Sequence, residues 1–215
     1  MKSRIFFLTV CLMLTVVPAM GQVLYSNGNT NGTTDAWTIN FGFVVSDTFP
    51  IPAGGATITG ADFAMWLVEG DTLETAQLSI TSGENGGTSY FNQTVSFTQS
   101  GCSGNQYSYD VCNEATSFNT GLLSQGSYWM NLQNAVTAEG QPIYWDENSG
   151  PSSASESEVG TIPSESFTVF SQGSTCGGNC TSTTTGTSVP EPSSIMLVGS
   201  GILGVASLLR RKIHR

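Results

Sequence analysis

Residues Thr57–Val68 read TITGADFAMWLV. Phe63, Met65 and Leu67 fall on one face at period two, the spacing of a strand with one side on a core and not of a helix. The same pattern extends in both directions. Thr38–Val45 (TINFGFVV) is rich in β-branched and aromatic types. Leu78 and Ile80 alternate with Gln77 and Ser79, and Val95 and Phe97 with Thr94 and Ser96. Tyr128, Met130 and Leu132 alternate with Trp129 and Asn131, and Pro142–Trp145 and Ser166–Phe170 read as further short strands. Turn signals lie between them: Pro52–Gly55, Glu69–Asp71, Glu84–Gly87, Ser124–Gly126 and Ser149–Pro151. Eight or nine such strands predict an all-β domain over residues 22–173, a jelly-roll-like β-sandwich. No fixed-period repeat is present, which disfavours a solenoid or propeller.

Charge is distributed unevenly. Lys2, Arg4, Arg210, Arg211, Lys212 and Arg215 are the only basic residues, and His214 is the only histidine. Between Gln22 and Ser188 there are 15 acids and no Lys, Arg or His, a formal charge near −15. Such a domain has no means of neutralising phosphates, so nucleic acid is excluded as a partner. Its acids stay solvated and repel one another, or an external cation such as calcium neutralises them.

The absence of histidine also removes Ser-His-Asp, Cys-His and most zinc chemistry, and no lysine nucleophile or arginine clamp exists in the domain. A glycosidase needs only two carboxylates, but no pair stands out. The domain is therefore expected not to be an enzyme. The segment Ile143–Glu158 (IYWDENSGPSSASESE) is the most suggestive of a binding site. Trp145 offers an indole for stacking on a sugar, and Asp146, Glu147 and Asn148 offer groups for its hydroxyls or for Ca²⁺. The competing expectation is that Trp145 is a core aromatic at a strand end, as expected of Trp37, Trp66 and Trp129.

Cys102, Cys112, Cys176 and Cys180 all lie after residue 21. An even count outside the cytoplasm points to disulfides, and three pairings are open. The local pairing, Cys102–Cys112 and Cys176–Cys180, is the one expected. The first would close an omega-like loop carrying Tyr107 and Tyr109.

Both ends read as addresses. Residues 1–21 have a basic start, an apolar run over Ile5–Val17, and small residues before a cleavage point between Gly21 and Gln22, as in a signal peptide removed by signal peptidase. Residues 174–188 are a Ser/Thr/Gly linker. Residues 189–215 begin with Val189-Pro190-Glu191-Pro192, continue through an uncharged run over 193–209, and end in a basic stretch opened by Arg210 and Arg211. That run spans roughly 26 Å as a helix, the lower edge for a transmembrane helix, with the basic end held in the cytoplasm.

These three parts in order resemble the PEP-CTERM sorting domain, a tail also called the ice-binding-protein C-terminal domain. The resemblance implies an exosortase as processing enzyme and a membrane-anchored intermediate. It then implies delivery to the cell surface or to an exopolysaccharide matrix such as that of a biofilm. The function expected is a non-catalytic acidic β-sandwich for glycan or calcium-assisted matrix contact. A carboxylate-based glycan hydrolase, a purely structural coat and an ice-binding-like protein are the alternatives. Ice binding would need a flat threonine array that Thr57-Ile58-Thr59 alone does not supply.

Overall fold

The computed structural model describes residues 21–172. The signal peptide expected over 1–21 (up to residue 20), the linker expected over 174–188, Cys176, Cys180, the Val189–Pro192 motif, Arg210, Arg211 and the span expected over 193–209 lie outside the described residues. Among the described residues no helix is long and apolar enough to cross a membrane.

The described chain is all-β, as expected. In order it forms β1 (Gln22–Ser26), β2 (Ala36–Thr38), β3 (Val44–Ile51), β4 (Ala56–Val68), β5 (Leu73–Gly83), β6 (Gly86–Ser96) and β7 (Thr98–Gly104). There follow β8 (Tyr109–Ser117), β9 (Leu122–Leu123), β10 (Gly126–Thr137), β11 (Ile143–Asp146), β12 (Ala154–Glu156), β13 (Gly160–Ile162) and β14 (Phe167–Ser171). Two antiparallel sheets result. Sheet B has the order β13-β12-β3-β10-β5-β6. Sheet A is organised around the long strand β4. One edge of β4 carries β8 along Gly60–Val68, and β7 lies outside β8. The other edge carries two strands end to end, β14 along Ile58–Phe63 and β11 along Met65–Leu67. Outside these lie β1 on β14 and β2 on β11.

The alternation read in the sequence sets the core. Phe63, Met65 and Leu67 of β4 are fully buried, as are Leu78 and Ile80 of β5 and Met130 and Leu132 of β10. They join Val45, Phe49, Ile143, Trp145 and Val169 in one cluster drawn from both sheets. Burial of each such side chain contributes about 1.5–3 kcal/mol, which makes this inner layer the main source of stability.

Two sequence expectations change. The strand expected over Thr38–Val45 is broken by a turn at Asn40–Gly42, where Phe41 and Gly42 take left-handed backbone (φ 56° and 96°). That turn carries the chain from β2 in sheet A to β3 in sheet B. The loop expected between Cys102 and Cys112 is instead a pair of hydrogen-bonded strands, and the disulfide joins β7 to β8 across it. Residues 100–103 bulge out of register there, which brings Cys102 over Cys112.

Candidate functional site on the outer face of sheet A

The four residues singled out in the sequence, Trp145 to Asn148, are brought together, but pointed away from solvent. Trp145 is 0% exposed. Its ring meets Phe63 and Phe167 edge-on, at 5.2 and 5.5 Å between centroids, and its indole N–H donates to the Ser166 carbonyl at 2.9 Å. Its faces are therefore closed to a sugar, and the core expectation for Trp145 is the one the fold fulfils.

Asp146 points to the opposite side and is also buried. Its Oδ1 accepts from the Gly32 N–H at 2.7 Å and the Trp66 indole at 2.6 Å, and its Oδ2 accepts from the Asn31 N–H at 2.7 Å. Burial raises its pKa and these three donors oppose the rise. Lone pairs already facing N–H groups are poorly placed to take a cation. Glu147 accepts from the Trp37 indole at 3.2 Å. Asn148 is buried and donates to the carbonyl of Asn27, while Ser164 donates to its Oδ1 at 2.8 Å. Among the described residues no group of three or more His, Cys, Asp or Glu is disposed to hold a metal ion.

What Asp146 does is fix a loop. Residues 28–35 cross the outer face of sheet A, pinned by the Asn31 and Gly32 bonds to Asp146. Gly32 has φ 67°, and a Cβ there would lie 3.4 Å from Val111, so glycine lets the loop settle on β8. The loop is met from the other side by Gln106, which donates to the Thr33 carbonyl at 3.1 Å.

Two features flank this loop on the same face. The first is aromatic. Tyr107, half exposed, lies flat on Trp66 with ring centroids 5.7 Å apart and an interplanar angle of 22°. Tyr109 packs beside Trp66 at 6.0 Å and meets Tyr144 edge-on at 5.5 Å. Burial, with the Tyr109 hydroxyl beside it, pushes the Tyr144 phenol up to about 12, so it stays a neutral hydrogen-bonding group. The turn that presents Tyr107 is built by Asn105, whose Oδ1 accepts from the N–H groups of Tyr107 and Tyr109 at 2.9 and 3.0 Å. The outward ring face of Tyr107 is thus held in one orientation.

The second feature is a polar pocket of about 200 Å³. Asp62 and Ala64 of β4 and Asn113 of β8 line it, with Thr168 of β14, Ser26 of β1 and Thr30 of the loop. Ala64 and Asn113 are register partners, and the next outward pair along the same two strands is Trp66 and Val111. The pocket and the aromatic cluster are therefore one register step apart. Burial raises the Asp62 pKa, with the neighbouring Asn113 amide opposing it.

Sequence reasoning placed Tyr107 and Tyr109 in one loop but did not find this site. The signal it lacked was the pairing of β4 with β8, which alone brings Trp66 under Tyr107. Nothing in local composition reports that pairing.

Residues 188–212 match the model of the PEP-CTERM protein-sorting motif. No curated protein and no solved structure matches the chain. The motif covers the tail alone. It implies export and sorting by an exosortase through a membrane-anchored intermediate, and it carries no statement about the β domain.

Proposed function

We propose that this protein is an exosortase-sorted component of the cell surface or exopolysaccharide matrix, and that its β-sandwich is a non-catalytic module binding an uncharged glycan on the outer face of sheet A. The observation that carries this reading is Tyr107, held flat on Trp66 with its other face open to solvent beside a pocket of hydroxyl, amide and carboxyl groups. An aromatic face stacks on the apolar C–H face of a sugar, and the polar groups take its hydroxyls. The absence of Lys, Arg and His from the domain argues that the glycan is neutral, because an anionic polymer would meet only like charge. Among the residues lining the pocket Asp62 is the one carboxylate, whereas glycoside hydrolysis uses a pair, which supports binding without turnover.

The test is affinity electrophoresis of the full chain, in nonionic detergent, through gels containing the host's own exopolysaccharide or neutral glucans. Retardation that is lost in Tyr107→Ala and unchanged by a chelator supports this reading. Mobility identical with and without polysaccharide would sink it and leave a structural coat as the function.

A further inference from the structure

A strand at the edge of a sheet offers a row of unpaired N–H and C=O groups to any other extended chain. Folds commonly blunt such edges by shortness, bulges, proline or charge. Most edges of this sandwich are blunted in these ways. In sheet A, β2 has three residues and follows Asp35, and β1 has five residues with a register shift between Val23 and Tyr25. On the opposite side of the same sheet, β7 is interrupted between Ser100 and Ser103, where the disulfide ties it down. In sheet B, β13 has three residues and sits beside Glu156 and Glu158.

The remaining edge, β6, is neither short nor charged nor broken by proline, and its register shifts are confined to its first half, between Gly86 and Phe91. It is 11 residues long, and Phe91–Ser96 run opposite Ile80–Thr75 in unbroken register. No charged residue and no proline occurs between Glu84 and Asp110. Asn92, Gln93 and Thr94 are exposed, and Tyr90 is 45% exposed.

We propose that β6 is a self-pairing edge, through which two copies of this domain join antiparallel, β6 to β6, about a two-fold axis. The charge distribution selects a second copy as the occupant. Two bodies that each carry about fifteen acids and no base repel over most of their surfaces. The uncharged edge is the place where they meet without opposing carboxylates, and main-chain hydrogen bonds across it need no charge. A basic partner would be drawn to the acidic surfaces instead. Antiparallel pairing of one strand with its own copy is isologous, so it closes on itself: once paired, β6 has no further free edge. Assembly stops at two copies, joining two B sheets into one. Each dimer then carries two copies of the outer face of sheet A, which would raise avidity for a repeating polymer by engaging it twice.

The test uses the full chain in nonionic detergent, followed by sedimentation velocity across a wide concentration range. A monomer–dimer equilibrium that tightens as salt is raised is the expected result, since salt screens the repulsion between the two acidic bodies. Gln93→Glu combined with Thr94→Glu sets four like charges around the two-fold axis and should weaken association roughly tenfold or more. Thr161→Glu adds a charge of the same sign on β13 and should leave association unchanged. Gln93→Glu alone provides the same reading should the double variant not fold. A chain that stays monomeric throughout overturns the proposal. So does a dimer that persists in the β6 variants, or assembly beyond two copies.

Discussion

The backbone N–H of Glu165 donates to Oδ2 of Asp47 at 2.7 Å, and this bond ties sheet A to sheet B at the point where β11 ends and β14 begins. Asn27 reinforces it, donating to Asp47 Oδ2, to the Glu165 carbonyl and to Ser152 Oγ. The Glu165 carboxyl group, however, is fully buried, and neither of its oxygens has a hydrogen-bond partner among the described residues. Glu114 is in the same condition on the inner face of β8, opposite Phe63. Burial pushes the Glu114 carboxyl up to about 8, and burial together with Asp47, Glu147, Asp146 and Asp35 holds that of Glu165 well above its ordinary range. Glu114 is therefore largely protonated at neutral pH, and the formal charge of the domain overstates its negative charge.

Stability should therefore fall as pH rises. A carboxyl whose folded pKa lies above its unfolded value keeps a proton that the unfolded chain releases. For Glu114 that contribution is complete below about 4.5 and is lost progressively up to about 8. For Asp47, raised by burial to about 6, the window runs from 3.8 upward. Relief of charge repulsion at acid pH acts in the same direction. Urea unfolding at about pH 5 and about pH 8.5 should differ by on the order of 3 kcal/mol in favour of the acid condition. A midpoint that rises with pH would contradict this account of the two buried glutamates.

Glu114→Gln isolates one of them. The substitution keeps the shape and removes the ionisation. Its new amide would lie opposite Gln99, the register partner on β7, whose Oε1 is buried without a hydrogen-bond partner among the described residues. At about pH 8.5 the variant should be more stable than the parent by about 2 kcal/mol, with little difference near pH 5. Parallel pH–stability curves for the two proteins would show that Glu114 is not the group responsible.

Much of the fold was legible because its inward positions are apolar. β4, β5 and β10 could be read from Phe63, Met65, Leu67, Leu78, Ile80, Met130 and Leu132, which the structure buries in one core. β8 could not be read in this way. Its inward residues are Cys112, Glu114 and Thr116, so alternation by polarity points its faces the wrong way. β12 and β13 have three residues each, too few to show any period. The site was less legible than the fold. Trp145 and Asp146 are adjacent in sequence and together suggest a binding site, yet a strand sends them to opposite sides, one into the core and the other onto the loop over sheet A. Tyr107 and Trp66 stack although 41 positions separate them in the chain, and that relation arises only when β8 pairs with β4.

Removing the disulfide should loosen one edge more than the whole. Cys102→Ala with Cys112→Ala opens a link across a sequence separation of 10, at a cost of about 3 kcal/mol. The link lies between β7 and β8, while β5 and β10 are paired in the other sheet. Hydrogen exchange should therefore show lost protection first at β7, with the β5–β10 amides retaining the slowest exchange. Uniform loss of protection across both sheets would mean that the bridge supports the sandwich as a whole.

Tyr107 and Trp145 separate the two roles an aromatic residue can have in this domain. Trp145→Ala empties a site that is 0% exposed and leaves the Ser166 carbonyl without its indole donor. Its expected cost is about 3–5 kcal/mol, with any loss of glycan retention following from loss of fold. Tyr107→Ala removes a half-exposed ring whose support, Trp66, keeps its bond to Asp146. Its expected cost is about 1 kcal/mol or less, with an unchanged near-native melting profile and retention on polysaccharide abolished. Trp66→Phe tests the platform from beneath. It withdraws one of the three donors to Asp146 and should weaken both the loop and the retention. If Tyr107→Ala binds as the parent does, the ring is packing for Trp66 and the glycan surface must lie elsewhere.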